Sequence, residues 1–224
     1  MINNQREKNL YIEYLKIVKS FKQYLKKKEG SFSDSAFLLH KLQEEIKNCQ
    51  KCPLYRTRTN LVFGEGNPDA ILIIVGEAPG KDEDLQGRPF VGAAGKLLRE
   101  SLRYLEIPED KFYIANILKC RPPGNRDPKP EEIACCLPYL KRQIQIIQPK
   151  IICSLGKFST QTLLNTTRGI TYLRGQKFTL PHGKILIPTY HPAACIYRPP
   201  WRKQFMADLK KVKQELERLS STSY

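Results

Sequence analysis

From Asp69 onward the apolar positions follow two rhythms. Short, nearly continuous apolar runs mark strands buried on both faces, and apolar residues spaced three and four apart mark helices packed along one side. Ala70-Ile71-Leu72-Ile73-Ile74-Val75 reads as the first buried strand. The pattern then predicts a helix from about Ala94 to Leu105, a strand from Phe112 to Ile117, and a helix from about Pro130 to Ile147. A strand from Lys150 to Ser154 and a helix from about Lys157 to Leu164 follow. Gln176 to Leu180 and Lys184 to Pro188, joined by Pro181-His182-Gly183, read as a hairpin that brings in a further strand, and a helix from about Trp201 to Leu219 closes the chain. This alternation predicts an α/β fold, a parallel sheet with helices on both faces. Ligands of such sheets sit outside the carboxyl ends of the strands, so the residues just after Val75, Ile114 and Ile187 are the ones to read for chemistry.

Upstream, Leu10, Tyr14, Ile17, Val18, Phe21, Tyr24 and Leu25 give residues 1–30 the spacing of an amphipathic helix. A polar break from Ser31 to Ser35 follows, in which Ser33 or Asp34 can cap a second helix running to about Asn48. Residues 1–35 are therefore expected to be a basic helical extension, and residues 36–224 one domain. The extension reads either as an arm that tracks DNA or a partner, or as a helix packed on the core with its lysines in solvent. Repeats and low-complexity tracts are absent.

Composition narrows the class. Of 224 residues, 41% are hydrophobic and 27% charged, a globular profile. Lys and Arg number 38 against 22 Asp and Glu, a net charge of +16 that favours a polyanion through counterion release; a merely solvated basic surface is the plainer alternative. No apolar run reaches the roughly 18 residues that span a bilayer, and Met1 to Leu10 lacks the apolar core of a secretory signal. A cytoplasmic, monomeric protein with no membrane partner is expected. There the seven cysteines would stay reduced, which turns attention to metal or cluster binding. Cys49-x-x-Cys52 followed by Pro53 puts two thiols on one turn, and Cys120 and Cys136 supply two more. Four thiolates suit a [4Fe–4S] cluster or a tetrahedral zinc ion, and spacing alone does not separate them. Cys135 competes for the fourth position, whereas Cys153 and Cys195 fit a buried strand and a loop.

Four segments carry candidate chemistry. GEAPGKDED (residues 76–84) makes a glycine-bracketed turn directly after the first strand, without the spacing of a phosphate-binding loop. Its acidic run also reads as a helix N-terminal cap. GRPFVG (residues 87–92) places Phe90, a ring able to stack on a base or simply to fill the core, near the same strand end. Asn116, ending the second strand, carries donor and acceptor in one plane; it can pair with the N3–H and O4 edge of uracil and refuse cytosine, or else cap a turn. His191, in Thr189-Tyr190-His191-Pro192-Ala193-Ala194, can donate a hydrogen bond to charge developing on a departing base, or can be a plain surface histidine.

In this order, GEAPGKDED, GRPFVG, the Asn116 segment, CRPPGNRDPKP, the four spaced cysteines and HPAA resemble the family 4 uracil-DNA glycosylases over about residues 40–218. The resemblance implies a three-layer α/β/α sandwich around a central four-stranded parallel sheet. It also implies a structural [4Fe–4S] cluster on Cys49, Cys52, Cys120 and Cys136, the last preferred to Cys135 because the family ligand precedes the Pro138-Tyr139-Leu140 step by two residues. Carried over by position, Gly76, Glu77 and Ala78 wall the base pocket, Phe90 stacks on uracil, Asn116 reads its edge and His191 faces O2. Glu83 and His191 are the implied catalytic pair, with Glu83 placed to orient water, favour an oxocarbenium-like sugar or block a 5-methyl group.

The implied activity is the monofunctional release of uracil from single- and double-stranded DNA, the opening step of base-excision repair, with no lyase step. Where the family has a leucine-rich stretch before an arginine, this chain has Cys195-Ile196-Tyr197-Arg198, so Ile196 or Tyr197 takes the place of the wedge that fills the gap left by a flipped base. Arg88, Arg121, Arg126, Arg198 and Lys203 are candidate phosphate contacts. Two rival readings remain: a non-catalytic nucleic-acid-binding module with a structural four-cysteine site, and a glycosylase for another deaminated base. A leucine at position 77 would mark the family 5 branch, and Glu77 argues against it.

Overall fold

A computed structural model describes residues 33–221, and the expected helix over residues 1–30 lies outside them. The described chain begins with Ser33 capping helix α1 (Asp34–Ile46), its hydroxyl accepting from Ala36 N at 3.2 Å. The sheet has six strands in the order β1-β3-β2-β4-β6-β5. The four inner strands, β2 (Leu72–Gly76), β3 (Phe112–Asn116), β4 (Ile151–Leu155) and β6 (Ile185–Thr189), are parallel. This is the expected parallel core. Two-residue antiparallel strands, β1 (Glu65–Gly66) on β3 and β5 (Phe178–Thr179) on β6, extend its edges. Neither is long enough to show alternation in sequence, although the β5–β6 hairpin forms around Pro181–Gly183 as expected.

Successive strand side chains point to opposite faces, and this divides the core in two. Leu72, Ile74, Ile114, Cys153, Leu155 and Ile187 pack under α3 (Ala93–Tyr104) and α8 (Pro199–Ser221). Ile73, Val75, Tyr113, Ala115, Ile152 and Leu186 pack under α1 and α4 (Pro130–Ile147). Layers of helix, sheet and helix result. Helix α4 starts with Pro130 at its first turn and with Glu132 reaching back to Lys129 N at 2.9 Å; Pro138, inside it, leaves the carbonyl four residues earlier without its helical donor. Among the described residues, no helix is long and apolar enough to cross a membrane.

All four inner strands run the same way, so their carboxyl ends share one rim of the sheet. Gly76 is in register with Asn116, and Leu155 with Thr189. The acidic run after Gly80 forms the short helix α2 (Lys81–Gln86), with Glu83 Oε2 accepting from Gly80 N at 3.1 Å, which is the N-terminal cap its composition allows. Helices α5 (Gly156–Leu164) and α6 (Ile170–Leu173) follow β4. The segment after His191, expected as a loop, is instead the six-residue helix α7 (Pro192–Tyr197), because Pro192 presets its first turn and the His191 side chain caps it.

Candidate active site and cysteine cavity

The sheet rim opens into a cleft of about 620 Å³. Its walls include Glu77, Ala78, Glu83, Phe90, Asn116 and His191, drawn from four separate stretches of chain. Gly76 lies directly beneath. A Cβ added there would stand 2.3 Å from Asn116 Oδ1 and 2.6 Å from Phe90 Cζ, so only glycine lets the amide and the ring meet over the strand end.

Phe90 is buried and adopts φ +53°, a conformation unfavourable for a bulky residue that must be held from outside. Glu83 Oε1 supplies part of that hold by accepting from Val91 N and Gly92 N, both at 2.9 Å. Arg99 Nε donates to the Phe90 carbonyl at 3.3 Å. Gly95 of α3 lies so close that a Cβ there would come within 2.0 Å of that carbonyl. Glu83 thus uses both oxygens on three backbone amides and clamps the ring-bearing loop onto the α2 turn.

Asn116 is 2% exposed, and its Oδ1 has no hydrogen-bond partner among the described residues. Buried polar atoms are nearly always paired, so an unpaired acceptor beside a cleft is a place for a ligand donor. His191 Nδ1 accepts from Ala193 N at 3.2 Å. That bond puts the ring proton on Nε2, leaving it as a donor. Burial lowers the His191 pKa to about 4, against a smaller opposing pull from Glu83, so the imidazole is neutral at physiological pH. Its ring centroid is 5.9 Å from that of Phe90. Glu77 is pushed up to about 7, first by burial and then by the nearby Asp127 carboxylate, with Lys157 partly opposing. In the sequence Asp127 stands inside the CRPPGNRDPKP motif without a mark of its own, and Lys157 carries no signal.

Of the residues expected to meet DNA, Arg126, Ile196 and Tyr197 line the cleft, and the last two are 43% and 84% exposed at its mouth. Arg126 is held by buried Glu132 through contacts of 2.5 and 2.9 Å. Arg88 pairs with Glu65 through two bonds of 2.8 Å, and Arg121 Nε donates to Asn125 Oδ1 at 2.7 Å. Arg198 lies 4.5 Å over the Trp201 ring. Lys203 lies away from the cleft, in a groove between α3 and α8 beside Tyr104 and Met206. Lys81, exposed at the start of α2, also reaches the cleft wall, although nothing in the sequence sets it apart within GEAPGKDED.

Behind the cleft, Cys49, Cys52, Cys120, Cys135 and Cys136 surround one small cavity. Among the described residues, no three His, Cys, Asp or Glu side chains gather tightly enough to hold a single metal ion. Cys136 is buried and Cys135 only half-buried. Arg58 Nη1 donates to Cys120 Sγ and Lys119 N to Cys136 Sγ, both at 3.2 Å, and the Tyr139 hydroxyl lies 3.4 Å from Cys49 Sγ. N–H donors aimed at sulfur suit thiolate ligands. Burial raises the thiol pKa of Cys52 and Cys120, and that of Cys136 to about 12. Such sulfurs become thiolate only with a compensating positive centre. The donor set, its enclosure and these N–H contacts fit an iron–sulfur centre. Cys153 and Cys195 are buried in the other half of the core.

Residues 63–216 match the family model of the uracil DNA glycosylase superfamily. The chain is 48% identical over 184 residues to the type-4 uracil-DNA glycosylase of Sulfurisphaera tokodaii, an alignment covering 79% of this chain and 84% of that one. It is 47% identical over 183 residues to the type-4 uracil-DNA glycosylase of Archaeoglobus fulgidus, covering 78% and 91%. Identity to that of Saccharolobus solfataricus is 46% over 183 residues, covering 78% and 85%.

Proposed function

Since the chain belongs to the uracil DNA glycosylase superfamily, we propose that its cleft receives a deoxyuridine extruded from DNA and hydrolyses the bond between the base and C1′ of the sugar, the activity for which its type-4 relatives are named. The observation that carries this reading is the buried, unpartnered Asn116 Oδ1, packed against the Phe90 ring over Gly76. Uracil offers N3–H to that oxygen and O4 to the amide nitrogen beside it. Cytosine offers an acceptor at N3 and a donor at N4, and would leave both contacts repulsive. Phe90 covers the base face.

Cleavage of the glycosidic bond leaves the electron pair on uracil, with charge developing at O2. The neutral His191 ring, its proton held on Nε2 by the Ala193 amide, donates to that oxygen. A donor already aimed at developing charge stabilises the transition state more than the ground state. The Glu83 carboxylate adds negative charge near the cationic sugar while fixing the Phe90 loop. Water adds its oxygen at C1′ and gives up a proton that neutralises the uracil anion, leaving free uracil and an abasic site.

Cys49, Cys52, Cys120 and Cys136 are the residues we assign to a [4Fe–4S] cluster. When bound, it supplies a cross-link joining the segment after α1, the loop after β3 and helix α4. Arg88, Arg121, Arg126 and Arg198 serve as phosphate contacts, and Lys203, in its groove away from the cleft, does not. Ile196 or Tyr197, both exposed at the cleft mouth, fills the gap left by the flipped base.

The deciding experiment incubates the purified protein with a uracil-containing oligonucleotide at low salt and then cleaves abasic sites with alkali. Strand cleavage that depends on both uracil and alkali is expected. Intact strands throughout would overturn the glycosylase reading.

A further inference from the structure

One buried side chain joins the base pocket to the cysteine cavity. Lys119, three residues beyond Asn116 and next to Cys120, is 1% exposed. Its Nζ donates to the Asn116 carbonyl at 2.9 Å and to Gln143 Oε1 at 2.6 Å. Gln143, fully buried on α4, turns its amide nitrogen to the Phe63 carbonyl at 3.0 Å. The Lys119 peptide is held as well: its N–H donates to Cys136 Sγ at 3.2 Å, and its carbonyl accepts from Val62 N at 2.8 Å.

Burying an amine on two neutral oxygens is costly, and an apolar residue of similar length would fill the same space more cheaply. Packing alone therefore does not account for it. What the amine achieves is a fixed distance between the peptide that aims the Asn116 amide and the helix that carries Cys136.

We propose that Lys119 is the positioning residue for base recognition: through Gln143 and the Asn116 carbonyl it sets the aim of the Asn116 amide against the cysteine-bearing helix. The cluster end of the molecule thereby contributes to reading the base. This rests on the glycosylase reading above. Lys119 touches neither base nor sugar and takes no part in bond breaking.

The test uses the full-length, iron-loaded protein and Lys119→Met, which keeps length and loses both bonds. Free uracil serves as a competing inhibitor, because its affinity reports the pocket without the phosphate contacts. Lys119→Met is expected to retain its iron and its absorbance near 400 nm. Its inhibition by free uracil should weaken about tenfold, the scale of leaving a buried acceptor unpaired. The loss should appear in kcat, with KM for the oligonucleotide changed less than about twofold, since phosphate contacts dominate DNA affinity. Gln143→Met should shift uracil inhibition in the same direction by less, and adding it to Lys119→Met should change nothing further, as for two members of one unit.

Unchanged uracil inhibition in an iron-loaded Lys119→Met protein overturns the proposal. So does activity that falls only in proportion to lost iron, the mark of a purely structural lysine. If Lys119→Met does not fold, Gln143→Met decides on the same measurements. Wild-type protein that releases no uracil sinks the glycosylase reading and this inference with it. Wild-type release beside an unaffected lysine variant sinks this inference alone.

Discussion

In the role proposed for it, Asn116 reads a base through an amide that is buried but not satisfied, and the other cleft residues are arranged to keep it so. Gly76 leaves room for it, Phe90 packs against the same spot, and its Oδ1 finds no donor among the described residues. Asn116→Ala should lower kcat/KM on a uracil oligonucleotide by about 100-fold, the scale for a donor or acceptor used in the transition state, as measured by alkali-dependent strand cleavage. Glu77 makes a second prediction, on stability. Its pKa is raised to about 7 by burial and Asp127, whereas the unfolded side chain titrates near 4.5. Between those values the folded state holds a proton that the unfolded state has released, so stability falls as pH rises through the window. Glu77→Gln removes the penalty. It should therefore be more stable than wild type by about 1–2 kcal/mol at pH 8, and the gap should close below pH 4.5 in denaturant melts.

At the scale of elements, one short helix and one long one carry residues of the proposed sites. Helix α7, six residues long, presents Ile196 and Tyr197 at the cleft mouth because His191 caps it and Pro192 starts it. If these side chains replace a flipped base in the stack, the double substitution Ile196→Ala/Tyr197→Ala should cost about tenfold or more on double-stranded uracil DNA. Single-stranded substrate, where no stack needs filling, should be cut nearly as before, and parallel assays on the two substrates measure the ratio. Helix α4 offers two adjacent cysteines that both line the cavity, Cys136 buried with Lys119 N on its sulfur and Cys135 half-buried. Cys136→Ser should abolish the absorbance near 400 nm of the purified protein, while Cys135→Ser keeps it. The helices from Pro130 and toward the carboxyl end were legible because their apolar spacing runs over three turns or more. Helix α7 and strand β1 were not, since two to six residues hold too little of any period to register, and β5 was legible only through the turn residues Pro181-His182-Gly183 that join it to β6.

For the whole molecule, a net charge of +16 means that DNA affinity comes largely from phosphate neutralisation and counterion release. Cleavage at subsaturating double-stranded substrate should fall by about tenfold or more between 50 and 200 mM salt, with a linear slope on logarithmic axes. Several candidate arginines already have intramolecular partners, Arg126 on Glu132 and Arg88 on Glu65 among them, so the slope should be shallower than a count of cations suggests. The amino-acid sequence determined the layered α/β arrangement, the strand ends at which chemistry sits, the kinds of side chain present and the cysteine spacing. Each of these follows from local periodicity, turn chemistry and short motifs, which act between near neighbours in the chain. Only the tertiary structure decided that Asn116 Oδ1 goes unpaired among the described residues, that Asp127 lies near Glu77, that Glu83 spends its oxygens on three amides, and that Lys119 bridges the cleft and the cysteine cavity. Those facts depend on which distant side chains packing brings within hydrogen-bond reach, and in a close-packed interior shifts of a fraction of an ångström settle them.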